Sequence, residues 1–204
     1  TPEAEALQAV NTIRRLGNGR LVGHNTDVYG FEKLAKEKRI RGRKVLVLGT
    51  GGASSAICQA LRNLGAKEII RVSRNRRPEP DCCTYDELNR HPDAQVIVNS
   101  TPIGMYPNNG HSPLDGCSVK WTDFQQLETA LDAIYNPYRT KFLMDAEEAG
   151  AEVESGLAML VYQGLRSAQI WGEVPRSGKG RRIVAEQTRG ENGRKKEKKK
   201  RSIP

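Results

Sequence analysis

No stretch of these 204 residues strings together the ~18 apolar side chains that a membrane span needs. The opening Thr1-Pro2-Glu3-Ala4-Glu5 lacks the basic-then-apolar pattern of a secretory signal, so a cytoplasmic location is expected. CxxC pairs and His-rich spacings are missing too. Cys58, Cys82, Cys83 and Cys117 are scattered, which suggests neither a zinc site nor a disulfide framework and predicts free thiols in a reducing compartment, with no metal. There is no internal repeat.

Net charge is absent from most of the chain. The total is +9, yet Arg176–Pro204 holds twelve Lys or Arg against three Glu, and residues 1–175 balance 21 basic against 21 acidic side chains. The tail has almost no apolar residue to bury, so its composition predicts a solvated segment without fixed structure; a nucleic-acid or membrane-surface arm is the alternative. With 37% hydrophobic residues, the chain can build the core of one domain or of a domain and a half.

What is present alternates between strand and helix patterns. Gln8–Ile13 and Arg20–Gly23 flank Gly17-Asn18-Gly19, a hairpin signal. Val28–Lys38 carries Phe31, Leu34 and Ala35 at helical spacing, with Asp27 as a candidate N-cap. Lys44–Leu48 is a continuous β-branched and aliphatic run, the pattern of a strand covered on both faces. Ala53–Leu64 then reads as a helix stopped by Gly65, and Glu68–Val72 as a second strand, which completes a βαβ unit. Further strands are predicted at Ala94–Val98, Leu131–Tyr135 and Ala151–Glu154, with a helix over Lys141–Ala149 behind Thr140. A last helix over Gly156–Trp171 is apolar nearly all round, which predicts deep packing between units. The fold class is α/β, a Rossmann-like doubly wound parallel sheet.

Between the covered strand and its helix stands Gly49-Thr50-Gly51-Gly52-Ala53-Ser54. Glycines without a Cβ admit a pyrophosphate close to the backbone, and a helix start offers unpaired N–H groups and the positive end of its dipole. The end of the second strand selects the dinucleotide, because a carboxylate there accepts from the NAD ribose and Arg accommodates a 2′-phosphate. The chain reads Ser73-Arg74-Asn75-Arg76-Arg77, with guanidiniums and no acid, which favours NADP over NAD. A generic turn and a generic basic loop are the bland alternatives.

Polar groups gather at predicted strand ends and on the last helix: Asn11-Thr12, Asn25-Thr26-Asp27, Asn99-Ser100-Thr101-Pro102 and Gln163. Taken singly they are ordinary turn and cap formers. In order along the chain, however, AVNTI at 9–13, GHNTDVYGF at 23–31, GTGGASSA at 49–56, NSTPIGM at 99–105, YNP at 135–137 and GLAMLVYQG at 156–164 resemble the shikimate dehydrogenase family. The resemblance covers residues 1–175.

That resemblance implies reversible hydride transfer between NADPH and 3-dehydroshikimate to give shikimate, in aromatic amino-acid biosynthesis. It makes Asn11, Asp27 and Gln163 partners of the substrate hydroxyls, with Tyr135 beside them. Gly49, Thr50, Gly51, Gly52 and Ala53 would hold the pyrophosphate; Ser73, Arg74 and Asn75 would meet the adenosine phosphate; Thr101, Ala133 and Gly156 would line the nicotinamide side. Asp27 matches the carboxylate of the family's Lys-Asp catalytic pair. The family's lysine and its serine-rich substrate motif lie upstream of the AVNT segment, and Lys33 does not match that lysine. The expectation is therefore a C-terminal portion that keeps cofactor affinity and has little activity alone.

The expected organisation is a remnant of the substrate domain at 1–27, an NADP domain at 28–155, a helix packing back at 156–175 and the basic tail at 176–204. Ala158 stands where the family usually has glycine, and Ser-Arg-Asn stands where Asn-Arg-Thr is common, so cofactor choice stays open at that point. The rival readings are an NAD-dependent quinate/shikimate dehydrogenase and a nonenzymatic nucleotide-binding module whose tail engages nucleic acid or a partner.

Overall fold

A computed structural model describes residues 1–172. The basic tail and residues 173–175 of the last expected segment lie outside the described residues. The chain opens with α1 (Pro2–Leu7), which the sequence reading does not assign. Six residues are too few to display a period, but the start signals are there: Thr1 caps the Ala4 N–H, Pro2 follows it, and Glu3 and Glu5 sit in the first turn. The expected hairpin forms as β1 (Thr12–Arg15) and β2 (Leu21–His24), paired antiparallel and displaced C-terminally from the predicted runs.

The main body is a parallel sheet of six strands: β3 (Lys44–Leu48), β4 (Glu68–Ser73), β5 (Cys82–Thr84), β6 (Val96–Asn99), β7 (Thr129–Asp132) and β8 (Glu152–Glu154). Their spatial order is β5-β4-β3-β6-β7-β8, so the chain runs outward from β3 to one edge and then returns to β6 beside β3. That reversal is the topological switch point of a doubly wound fold. Four helices accompany the sheet: α2 (Asp27–Ala35), α3 (Gly52–Asn63), α4 (Lys141–Glu148) and α5 (Leu157–Trp171).

Both faces of the sheet are covered, as the run at 44–48 predicts. Val45 and Val47 point to one face with Val96, Val98 and Leu131, under α2 and α3. Leu46 and Leu48 point to the other with Ile97 and Ala130, under α4. No α-helix serves the β6–β7 connection, which holds one short 3-10 turn at Trp121–Asp123. Leu114, Val119, Trp121 and Phe124 of that long loop complete the second face instead, with the Trp121 ring tilted against Phe142 at 5.1 Å between centroids. A loop can replace a helix here because the second face needs apolar cover, whatever backbone brings it.

Three expectations need correction. Asp27 is not the N-cap of α2; Thr26 holds that place, its hydroxyl is engaged elsewhere, and Asp27 is the first helical residue. Strand β7 ends at Asp132 and begins at Thr129, earlier than predicted, because the Thr129 N–H continues the ladder to Gln95 O, buried Asp132 is satisfied internally and the apolar Ile134 belongs to the following loop. Helix α5 is not enclosed: it packs along α2, with Met159 and Ser167 its buried residues, while Leu160 and Trp171 are exposed. Its apolar circumference exceeds what α2 and the sheet can cover. No helix among the described residues is long and apolar enough to cross a membrane, and all four cysteines are free.

Candidate active site

Parallel register brings the chemistry to one edge. Leu48 pairs with Val72 on one side and Asn99 on the other, and Asn99 pairs with Asp132. The residues that follow these strand ends therefore stand side by side, in the order Ser73, Gly49, Ser100, Ala133. The ladder continues past the strands: the Gly49 N–H donates to Val72 O (2.8 Å), Ser100 N–H to Leu48 O (3.0 Å) and Ala133 N–H to Asn99 O (2.9 Å).

At the switch point the glycine turn is built tightly. Gly49 has φ +107, and a Cβ there would lie 2.8 Å from Ser100 Oγ and 3.1 Å from Thr101 Cγ2. Ser54 Oγ donates to Gly49 O (2.9 Å) and ties the first turn of α3 to the strand end. Gly51 takes the N-cap place of α3 with no side-chain cap, so the first N–H groups of the helix remain available. Cβ atoms at Gly51 and Gly52 would meet nothing. Gly49→Ala is thus expected to lower folding stability by about 1–2 kcal/mol. Gly52→Ala is expected to leave stability within ~0.5 kcal/mol and weaken only an anion brought close to the turn. Urea denaturation of both variants checks the contrast.

Beyond β4, buried Ser73 organises the basic loop. Its Oγ accepts from the Asn75 N–H (3.4 Å) and from Arg77 Nε (3.3 Å), and Arg74, Asn75, Arg76 and Arg77 are exposed. No carboxylate pairs with Arg74, Arg76 or Arg77 among the described residues; the acids nearby, Glu79 and Asp81, hold Arg71. On the other side of the turn, Ser100, Thr101, Pro102, Met105, Tyr106, Ala133, Ile134, Tyr135 and Asn136 line a cavity of about 340 Å³. Gly156 closes on Ala133 from behind, its N–H donating to Ile134 O (2.9 Å). The expected nicotinamide-side residues Thr101 and Ala133 are therefore together on this cavity, with Gly156 against its back wall.

The polar residues of the hairpin and the last helix form a second group. Asn11 Oδ1 accepts from the Thr26 N–H (2.9 Å), and Thr26 Oγ1 lies 3.2 Å from Asn11 Oδ1, 3.3 Å from Gln163 Oε1 and 3.2 Å from Ser167 Oγ. Thr12 Oγ1 and Ser167 Oγ are 2.7 Å apart, and Ser167 donates to Gln163 O. Asn11 and Gln163 thus share one hydrogen-bonded network through Thr26, in which buried Thr12, Thr26 and Ser167 fix the orientation of the others, and Asp27 adjoins it through Asn11. Tyr135 is exposed on the cavity wall, and no hydrogen bond among the described residues joins it to this group. Ser167 was missed in the sequence because a serine inside an apolar helix carries no signal until its partners are known.

Asp27 is half-buried, and burial pushes its carboxyl above the usual range, opposed by a hydrogen bond from Asn11. No cation pairs with it among the described residues. Lys33, one helical turn or more along α2, stands 5.0 Å over the Tyr29 ring.

A parallel sheet in this order, with a glycine turn and an uncapped helix start at its switch point, defines a nucleotide-binding protein of the Rossmann class. No family model matches the chain. It is 35% identical over 206 residues to a Bacillus cereus (strain G9842) protein named shikimate dehydrogenase (NADP(+)), covering 93% of this chain and 72% of that one. Shikimate dehydrogenase 1 from Peptoclostridium difficile superposes with TM-score 0.79 at 33% identity, over 94% of this chain and 70% of that one. A chorismate mutase/shikimate 5-dehydrogenase fusion protein from Clostridium acetobutylicum does so with TM-score 0.75 at 38% identity, over 87% of this chain and 64% of that one. The chain belongs to the shikimate dehydrogenase family. It spans between 64% and 72% of the length of these three proteins.

Proposed function

We propose that the chain binds NADP across the C-terminal edge of its sheet and serves hydride transfer between NADPH and 3-dehydroshikimate, giving shikimate. The observation that carries the reading is the line of sites in register along that edge: a basic loop at β4, a glycine turn at β3 and a cavity at β6–β7. The residues fit the cofactor. Arg74 and Asn75, beside Ser73, would meet the 2′-phosphate; Gly49, Thr50, Gly51, Gly52 and Ala53 the pyrophosphate; Thr101, Ala133 and Gly156 would bound the nicotinamide. When bound, the nicotinamide supplies the hydride acceptor and donor.

The chain's own residues act on the substrate. Asn11, Asp27 and Gln163 present oxygen and amide groups suited to a hydroxyl-rich ring, held in place by Thr26 and Ser167. Tyr135 reaches the same ring from the cavity side. Asp27, held partly protonation-prone by burial, orients the reacting hydroxyl and steadies the group that exchanges its proton. The resemblance makes that group a lysine, and no cation pairs with Asp27 among the described residues; slow turnover is the expected result wherever none is supplied. General acid-base assistance is worth about 10²–10⁴ in rate.

Isothermal titration of NADP and NAD into the chain tests the cofactor half. NADP is expected to bind the more tightly, and Arg74→Ala to weaken NADP by about tenfold or more while leaving NAD unchanged, since a charge-assisted phosphate contact is worth ~1.5–3 kcal/mol. No binding of either nucleotide overturns the reading. Shikimate-dependent NADPH formation tests the other half, and full turnover by this chain would overturn the expectation of slow turnover.

A further inference from the structure

Asp132, the last residue of β7, is a fully buried carboxylate in no ion pair among the described residues. Its Oδ1 accepts from Asn99 Nδ2 (3.1 Å) and from the Ile134 N–H (2.9 Å), and its Oδ2 accepts from Thr140 Oγ1 (2.6 Å). Asn99, oriented by that bond, turns its own oxygen to the Thr101 N–H (2.9 Å) and Thr101 Oγ1 (2.7 Å), and its Nδ2 also donates to Ile103 O (3.2 Å). Thr101 Oγ1 in turn accepts from the Ile103 N–H (3.2 Å).

These bonds run to the two walls of the cavity at the switch point, one built from Ser100, Thr101 and Pro102 and the other from Ala133, Ile134 and Tyr135. Three donors converge on one side chain, and a carboxylate is the side chain that only accepts. An apolar replacement would leave Asn99 Nδ2 one partner short, the Ile134 N–H without its acceptor and the Thr140 hydroxyl with nothing to donate to, at a fully buried position. The adenosine end of the edge, Ser73 to Arg77 beyond β3, has no bond to this network.

We propose that Asp132 is the positioning residue of the nicotinamide half of the cofactor site, holding Thr101 and Ile134 on facing walls at a fixed separation. This rests on the NADP reading above. Asp132 touches no reacting atom; it acts through Asn99, Thr101 and Ile134.

Two ligands separate the halves: NADP, which occupies both, and adenosine 2′,5′-bisphosphate, which offers only the adenosine end. Calorimetric affinities of both are measured for the wild-type chain, Asp132→Ala and Asp132→Asn. Asp132→Ala is expected to weaken NADP about tenfold, the worth of one or two buried hydrogen bonds, and to leave the bisphosphate within about twofold. Asp132→Asn keeps an oxygen for Asn99 and Ile134 and recovers most of the loss. If Asp132→Ala does not fold, Thr140→Val removes the bond to Oδ2, together with the cap that Thr140 Oγ1 gives the Leu143 N–H of α4, and is expected to weaken NADP about threefold with the same selectivity, since loss of the cap bears on both ligands alike. Equal losses for the two ligands, or an unchanged NADP affinity, overturn the positioning role while the NADP reading stands. A wild-type chain that binds neither ligand overturns both.

Discussion

Gly156→Ala is expected to lower folding stability by about 2–3 kcal/mol, while Gly164→Ala on the same helix is expected to be neutral or stabilising by up to ~1 kcal/mol. A Cβ at Gly156 would sit 2.1 Å from Ala133 O and 2.5 Å from Ala133 C, both backbone atoms that no rotamer change can clear. The Gly156 N–H also donates to Ile134 O, so the two segments cannot part without breaking that bond. Gly164, inside α5, has open space around it, and there alanine gains helix propensity. Urea denaturation of the two variants gives the comparison; equal midpoints would mean that helix and strand end separate freely. The same separation would open the back of the cavity, so Gly156→Ala is also expected to weaken NADP.

The second large effect is a pH dependence centred on Asp132. Burial raises its carboxyl from 3.8 to about 6, against the lowering influence of Thr140, the Ile134 N–H and Asn99. All these partners are neutral, so no ion pair is made or lost as it titrates. Because the folded state holds the proton more tightly than the unfolded chain, the contribution to stability is fully present below pH ~4 and is lost as pH rises through about 6. The span corresponds to about 3 kcal/mol. The stability of Asp132→Asn relative to the wild type should therefore increase by that order between pH 4 and 7, measured by denaturation at each pH. A difference that stays flat across this range would mean that Asp132 does not change protonation on folding.

The legibility of the fold follows from where local and tertiary demands agree. Lys44–Leu48 announces a strand covered on both faces because each of its last four residues must be apolar, and Val45 to Leu48 are fully buried. Gly49 to Ser54 announces its turn because φ +107 at Gly49 and the close approach of Ser100 leave no room for a side chain. Strand β5 (Cys82–Thr84) escaped notice because three residues at a sheet edge are held by pairing with Arg71 to Ser73, which their own sequence does not encode. Thr26 reads as an ordinary polar residue before a helix; only the fold turns its hydroxyl toward Asn11 and Gln163.

The sequence by itself determined the glycine turn, the basic loop behind Ser73 and the order of the strands and helices other than α1 and β5, since these depend on backbone freedom, charge and periodicity within a few residues. Tertiary structure alone decided which of the polar side chains work together. Asn11 and Thr26, 15 positions apart, meet Gln163 through the Thr26–Gln163 contact, which spans 137 positions. Asp132 became the support of both cavity walls because parallel register sets it beside Asn99, and a hydrogen-bond partner across a sheet is fixed by pairing, which no local pattern records.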